Sequence, residues 1–191
     1  MPGIRVISGS ARGRHLKMVP GAGTRPIMDR VKQALFNILG ADIVDARVLD
    51  LFAGTGSVAI EALSRGAAYA ELVEADRTAA NVIRENLEAT RLSDRAKLVR
   101  ADVFTHLKRP PAVGFDYIHV APPQYKGVWI DALLALDAQP AWINPDGWVC
   151  AQIDPTEHKT LELRHLAPVS ERKYGSTLLA FYERITEVLT E

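Results

Sequence analysis

The sequence predicts an α/β domain built on a twisted, largely parallel sheet, and three observations carry that prediction. From Arg47 onward, short aliphatic runs alternate with longer segments of helical periodicity, the pattern of parallel strands joined by right-handed crossovers with helices on both faces. One run, Val48-Leu49-Asp50-Leu51-Phe52, passes through the glycine turn Ala53-Gly54-Thr55-Gly56-Ser57 into a helix-like segment. Two extended segments about Tyr174-Gly175 close the chain as an antiparallel hairpin at the sheet edge.

In chain order, Arg5–Ile7 and His15–Met18 read as short strands joined by a Gly/Arg loop, and Pro20-Gly21-Ala22-Gly23 reads as a turn. A helix is expected from about Asp29 to Leu39. Val31, Ala34, Leu35, Ile38 and Leu39 fall at i, i+3, i+4, i+7 and i+8 on one apolar face, and Gly40 is placed to end it. Strands are expected at 47–51, 69–74, 96–100, 115–120 and 148–153, and helices at 57–65, 77–90 and 127–137. The 77–90 helix puts Ala79, Val82, Ile83 and Leu87 on one face. The hairpin strands, 161–173 and 176–184, bring the sheet to seven. Repeats, low-complexity tracts and linkers are not evident, so residues 1–40 are treated as an appendage to a single domain spanning 41–191.

A length of 191 residues allows one domain with a sizeable core. The single cysteine, Cys150, argues against a disulfide scaffold or a cysteine-rich metal site and fits a reducing cytoplasm. No apolar run is long enough to span a membrane, and Met1 to Arg5 leads into no signal-peptide core. A monomer is expected. His15, His106, His158 and His165 show no metal-ligand spacing, so no metal is expected. Cys150 reads as a small buried side chain, and core packing is expected for at least two of Trp129, Trp142 and Trp148. His119, two residues before Ala121, reads as a hydrogen-bonded strand histidine in preference to a base.

Net charge is zero but unevenly placed. Residues 1–32 carry seven bases (Arg5, Arg12, Arg14, Lys17, Arg25, Arg30 and Lys32) against one acid, Asp29. Such an end suits an anionic partner, and the glycines of Ser8-Gly9-Ser10-Ala11-Arg12-Gly13-Arg14 favour RNA by letting backbone approach phosphates. The alternative is a solvated arm.

The 53–57 loop lies where a strand becomes a helix, so its N–H groups face a ligand. Glu74 ends the next strand, where its carboxylate can accept hydrogen bonds from both ribose hydroxyls. Together with Asp50, these residues predict a nucleoside site. Gly54-Thr55-Gly56-Ser57-Val58-Ala59 also fits a nicotinamide-dinucleotide fingerprint. Asp50, however, would sit badly beside a pyrophosphate, and the final hairpin departs from an all-parallel fold. S-adenosylmethionine has no phosphate, and its amino group suits a nearby acid. Asp102 and Val103 are candidates for the adenine, and Asp102 also fits an N-cap of a short helix over 103–107.

Taken together, these motifs resemble the RsmD family of S-adenosylmethionine-dependent methyltransferases, which act on the guanine exocyclic N2 of small-subunit (16S) ribosomal RNA. The resemblance spans nearly the whole chain. It includes Arg12-Gly13-Arg14, Arg25-Pro26, Asp29-Arg30, Ala34-Leu35-Phe36-Asn37, Val48 to Ala67, Val73-Glu74, Asn86, Asp102, Pro122-Pro123, Gly127 and Tyr174-Gly175-Ser176-Thr177. It implies a Rossmann-like class I methyltransferase fold with a basic N-terminal β-hairpin and helix as the RNA surface. It also implies a cofactor site formed by Asp50, Phe52, Gly54, Gly56, Ser57, Glu74, Asp102 and Val103. Arg12, Arg14, Arg25 and Lys126 become the RNA contacts, and the partner is ribosomal RNA or the assembling small subunit.

The family's catalytic motif is Asp or Asn, then Pro-Pro, then Tyr or Phe. An exocyclic amine is a poor nucleophile, because its lone pair is delocalised. A side-chain oxygen and a backbone carbonyl accept its two hydrogens and aim the nitrogen at the methyl donor. The aromatic ring stacks on a base turned out of its helix. Here the motif reads Ala121-Pro122-Pro123-Gln124-Tyr125. Ala121 has no acceptor side chain, Gln124 stands where the aromatic belongs, and Tyr125 comes one residue late. Three resolutions stand open. Carbonyls of Ala121 and Pro122 orient the amine while Gln124 Oε1 supplies the missing acceptor and Tyr125 stacks. Alternatively, Asp102, Arg25 or another polar group compensates. In the third, the protein binds cofactor and RNA without transferring methyl, as an assembly factor. On the first resolution, Gln124→Ala abolishes transfer and spares cofactor affinity.

Overall fold

The computed structural model describes residues 4–21, 27–109 and 111–185. Its centre is a seven-stranded sheet made of β1 (Arg47–Leu51), β2 (Tyr69–Val73), β3 (Ala96–Val99), β4 (Phe115–Val120), β5 (Ile143–Ile153), β6 (Leu166–Tyr174) and β7 (Thr177–Arg184), in the order β3-β2-β1-β4-β5-β7-β6. The first five strands are mutually parallel, and β7 pairs antiparallel with both β5 and β6. The helices are α1 (Asp29–Leu39), α2 (Ser57–Ser64), α3 (Arg77–Thr90), α4 (Val103–Leu107) and α5 (Val128–Ala138).

Alternation along each strand sends side chains to two cores. Val48, Ala70, Leu72, Cys150, Leu179 and Phe181 pack on one face beneath α1, α2, α3 and the N-terminal segment. Leu49, Leu51, Ile118, Val120, Val149 and Ala151 pack on the other beneath α4 and α5. Helix α1 buries Val31, Leu35, Phe36 and Leu39, and Gly40 at φ 59° ends it by donating its N–H to the Phe36 carbonyl. Trp129 and Trp142 are fully buried, as expected of core residues.

Three elements differ from expectation, each for a local reason. The N-terminal strands reduce to one antiparallel bridge, Arg5 with His15. The N–H groups of Ile7 and Ser8 go instead to Glu61 Oε2 and Oε1 (2.8 and 3.0 Å), which ends the ladder. Strand β5 begins at Ile143 rather than 148, carried across Asp146 in the left-handed region and a register shift opposite Phe115 to Tyr117. Strand β6 begins at Leu166 rather than 161, because the N–H groups of Arg164 and His165 bond the Asp137 carboxylate. Part of the expected turn at 20–23 lies outside the described residues.

Candidate active site

The chain runs β1 to β2 to β3 in one direction from the sheet centre, then returns to place β4 on the other side of β1. That reversal parts the loops at the carboxyl ends of β1 and β4 and leaves a crevice there. A cleft of about 600 Å³ occupies the position, with Glu74 and the 52–55 loop on one wall and residues 121–126 on the other. Its volume lies in the range of small-molecule and cofactor sites, roughly 300–1,000 Å³.

The wall after β1 is shaped by backbone conformation. Phe52 is held at φ 62°, Gly54 at φ 57° and Gly56 at φ 75°. Left-handed backbone is strained for a residue with a side chain, and it persists where neighbours enforce it. Glu74 is one enforcer: its Oε2 accepts the Gly54 N–H (2.9 Å) and its Oε1 accepts the Asp76 N–H (2.8 Å). A carboxylate offers about four acceptor positions, so each oxygen retains capacity toward the cleft. Asp50 is almost completely buried. It takes the Ala59 N–H on Oδ2 (3.3 Å), and its Oδ1 lies 3.0 Å from His119 Nδ1.

Two further buried side chains tie this loop to the N-terminal segment. Asn86 of α3 donates to the carbonyls of Thr55 (3.0 Å) and Lys17 (3.1 Å) and accepts the Lys17 N–H (2.7 Å). Lys32 of α1, fully buried, donates to Ser57 Oγ (2.9 Å) and the Arg5 carbonyl (2.7 Å), and lies 3.5 Å from Glu61. Burial pushes the Lys32 ammonium below its ordinary range, and Glu61 opposes that shift.

The opposite wall carries the Pro-Pro segment. Ala121 is half-buried, and its N–H reaches the Leu51 carbonyl at 3.5 Å. Tyr125 sits at φ 63°, 67% exposed, and its hydroxyl donates to Asp154 Oδ2 (2.9 Å). An exposed aromatic ring with its hydroxyl held by a carboxylate has the form of a stacking platform.

The cleft therefore brings together Asp50, Phe52, Gly54, Ser57, Glu74 and the whole 121–126 segment. Three of the cofactor candidates fall outside its lining. Gly56 lies behind the loop, where an added Cβ would stand 3.1 Å from Leu72 Cδ2. Asp102 caps α4 by accepting the Thr105 N–H (2.8 Å), and Val103 is buried in the second core. Arg25 lies outside the described residues.

The basic end also needs revision. Arg12, Arg14, Arg30 and Lys126 are exposed, but Lys32 is interior, Arg5 pairs with Asp29 (3.1 Å) and Lys17 with Glu85 (2.5 Å). Gly9, at φ 82°, is small for a packing reason: an added Cβ would lie 1.8 Å from the Ser64 carbonyl oxygen. Gly13, unlike Gly9, has the open surroundings that an approach to phosphate needs.

Sequence reading missed Gln152, which lines the cleft from β5, and the supporting roles of Lys32, Asn86 and Glu61. Lys32 counted as one more surface base. The signal that could have separated it is its spacing of three, four and seven residues from the buried Leu35, Phe36 and Leu39 on α1.

Comparison with known proteins gives a consistent answer. The family described as Conserved hypothetical protein 95 matches residues 4–183. YlbH of Bacillus subtilis is 37% identical over 95% of this chain and 99% of its own length. Ribosomal RNA small subunit methyltransferase D of Escherichia coli K12 is 39% identical over 70% of this chain and 67% of its own. Among solved structures, yhhF of Escherichia coli superposes with a TM-score of 0.84 at 31% identity, covering 96% of this chain and 98% of that one.

Proposed function

The chain belongs to the Conserved hypothetical protein 95 family, the RsmD family, and from that premise we propose that it transfers a methyl group from S-adenosylmethionine to the exocyclic N2 of a guanine in small-subunit ribosomal RNA. The single observation that carries this reading is the cleft. One wall is a strand-to-helix loop closed by a carboxylate; the other is a Pro-Pro segment ending in an exposed tyrosine.

The residues present fit the cofactor. Glu74 keeps acceptor capacity for ribose hydroxyls at the cleft wall, and the left-handed Gly54 brings backbone close to the ligand without a side chain in the way. When bound, the cofactor supplies an activated methyl on a positively charged sulfur. The protein's part is to orient and desolvate the amine. The Pro122 carbonyl accepts one of its hydrogens, a side-chain acceptor takes the other, and Tyr125 stacks on the extruded base. Arg12, Arg14 and Lys126 are exposed for phosphate contact, and Arg25 is proposed to join them. Asp102 and Val103 remain proposed adenine contacts, which requires Asp102 to serve the ligand while capping α4.

The test is transfer of labelled methyl from S-adenosylmethionine to unmodified small-subunit particles, followed by nucleoside mass analysis. N2-methylguanosine is the expected product. Cofactor binding without any transfer would instead make the protein a cofactor- and RNA-binding assembly factor, the reading that the missing side chain at Ala121 favours.

A further inference from the structure

The geometry points to Gln152 of β5 as the residue that supplies the side-chain acceptor absent at Ala121. This rests on the cleft being a methyl-transfer site for an exocyclic amine. The parallel register of β4 and β5 runs His119 with Cys150 and Val120 with Ala151. One step further sets Ala121 beside Gln152. Neighbours in parallel register point their side chains to the same face, and both residues border the cleft. A short alanine beside a long glutamine leaves room for the neighbour's carboxamide where the family's Asp or Asn would stand.

That carboxamide is held from behind. Gln152 Oε1 lies 3.3 Å from His119 Nε2, and His119 Nδ1 lies 3.0 Å from Asp50 Oδ1. His119 and Asp50 are both buried. A carboxylate only accepts, so Nδ1 carries the proton. Two arrangements then satisfy the contact with Gln152. A doubly protonated ring donates to Oε1 and leaves the NH₂ facing the cleft. A neutral ring accepts from the NH₂, after a half-turn of the carboxamide, and leaves Oε1 facing the cleft. The second arrangement receives a hydrogen from an amine.

In that arrangement one N–H of the substrate amine donates to Gln152 Oε1 and the other to the Pro122 carbonyl. The nitrogen lone pair forms the new bond to the methyl carbon as the carbon–sulfur bond breaks and its electron pair stays on sulfur. The nitrogen then releases one proton to water at the cleft mouth. Gln124 is the competing acceptor. It lies in the turn after Pro123 and makes no side-chain hydrogen bond among the described residues, whereas the Gln152 carboxamide meets His119.

The experiment compares full-length Gln152→Ala, Gln152→Glu, Gln124→Ala and the double variant Gln152→Ala/Ala121→Asn. Transfer to unmodified small-subunit particles, cofactor affinity by calorimetry and the thermal midpoint are measured for each. Gln152→Ala is expected to lower kcat by about 10²–10⁴-fold while cofactor affinity stays within about threefold. Gln152→Glu keeps an acceptor and stays within about tenfold of the parent, and Asn at position 121 restores at least about tenfold to Gln152→Ala. Gln124→Ala is expected to lower kcat by less than Gln152→Ala does. Full activity in Gln152→Ala, or loss in Gln124→Ala alone, overturns the assignment to Gln152 and leaves the methyltransferase reading standing. An inactive parent chain overturns both.

Discussion

The two walls of the cleft are built by different means. The loop after β1 is fastened by side chains from four other places: Glu74 beyond β2, Asn86 in α3, Lys32 in α1, and Asp50 acting through α2. The Pro-Pro wall includes among its ties a long backbone contact to Leu51 and the Tyr125 hydroxyl on Asp154. The first wall is set before any ligand arrives, which lowers the ordering cost of binding. The second presents an exposed aromatic ring, suited to a bulky partner. The lesson is that the N-terminal segment belongs to the first wall as well as to the surface, since Lys17 and Arg5 share the partners that hold the loop.

Breaking the first wall should cost most. Lys32→Ala removes a buried cation from Ser57 and Glu61, while Arg65 stays 2.8 Å from Glu61. About 3 kcal/mol of stability is expected to go, the lower end for a broken buried pair. Cofactor affinity should fall with it; a drop in thermal midpoint with unchanged affinity would detach the N-terminal segment from the loop. Asn86→Ala strands the Thr55 carbonyl and the Lys17 N–H, at about 1–3 kcal/mol. Titration of cofactor should show weaker binding, with kcat recovered at saturation.

The second wall should respond through RNA rather than cofactor. Tyr125→Phe keeps the ring and loses the bond to Asp154, about 1 kcal/mol. KM for the particle should rise by less than about tenfold while kcat holds. Tyr125→Ala removes the stacking surface itself and should raise KM further, by about 1–3 kcal/mol. Equal kcat losses in both variants would place the ring in the chemistry instead.

A charged cluster remote from both walls is the control. Burial raises the Glu71 carboxyl, but hydrogen bonds from His106 and Lys97 outweigh it and hold the group at about 2 against an ordinary 4.5. A depressed carboxyl contributes stability that is full above pH 4.5 and lost as pH falls toward 2. Glu71→Gln should therefore be less stable than the parent at pH 7, with the gap closing by pH 2 in chemical denaturation. Transfer at pH 7 should not change.

The parallel sheet was legible because each strand and helix carries its own period, and α1 and α3 run where their apolar faces begin and end. The glycine loop and Glu74 were legible because their chemistry is local. Of the second wall, the 121–126 segment was legible and Gln152 was not. Gln152 stands thirty-one positions from Ala121 in sequence, and only the β4–β5 register makes them neighbours. Lys32 and Glu61 were hidden for a similar reason. Each reads as a surface charge until the N-terminal segment folds over α2 and desolvates both. Asp102 shows the reverse: its cap was local and was found, whereas a contact to adenine depends on a ligand.

The final hairpin has a consequence for how the chain is made. β7, the last strand among the described residues, is not peripheral; it inserts between β5 and β6 and pairs with Trp148–Ile153 of the one and Leu166–Tyr174 of the other. Until Thr177–Arg184 emerges, the eleven-residue β5 has no neighbour on that side, and its open edge is available to other chains. Nascent chains stalled before residue 177 would thus hold most of the first core complete and still lack the strand that seals the sheet. Ribosome-bound intermediates of this protein should depend on a chaperone at that stage and become independent of it once residues 177–184 have emerged.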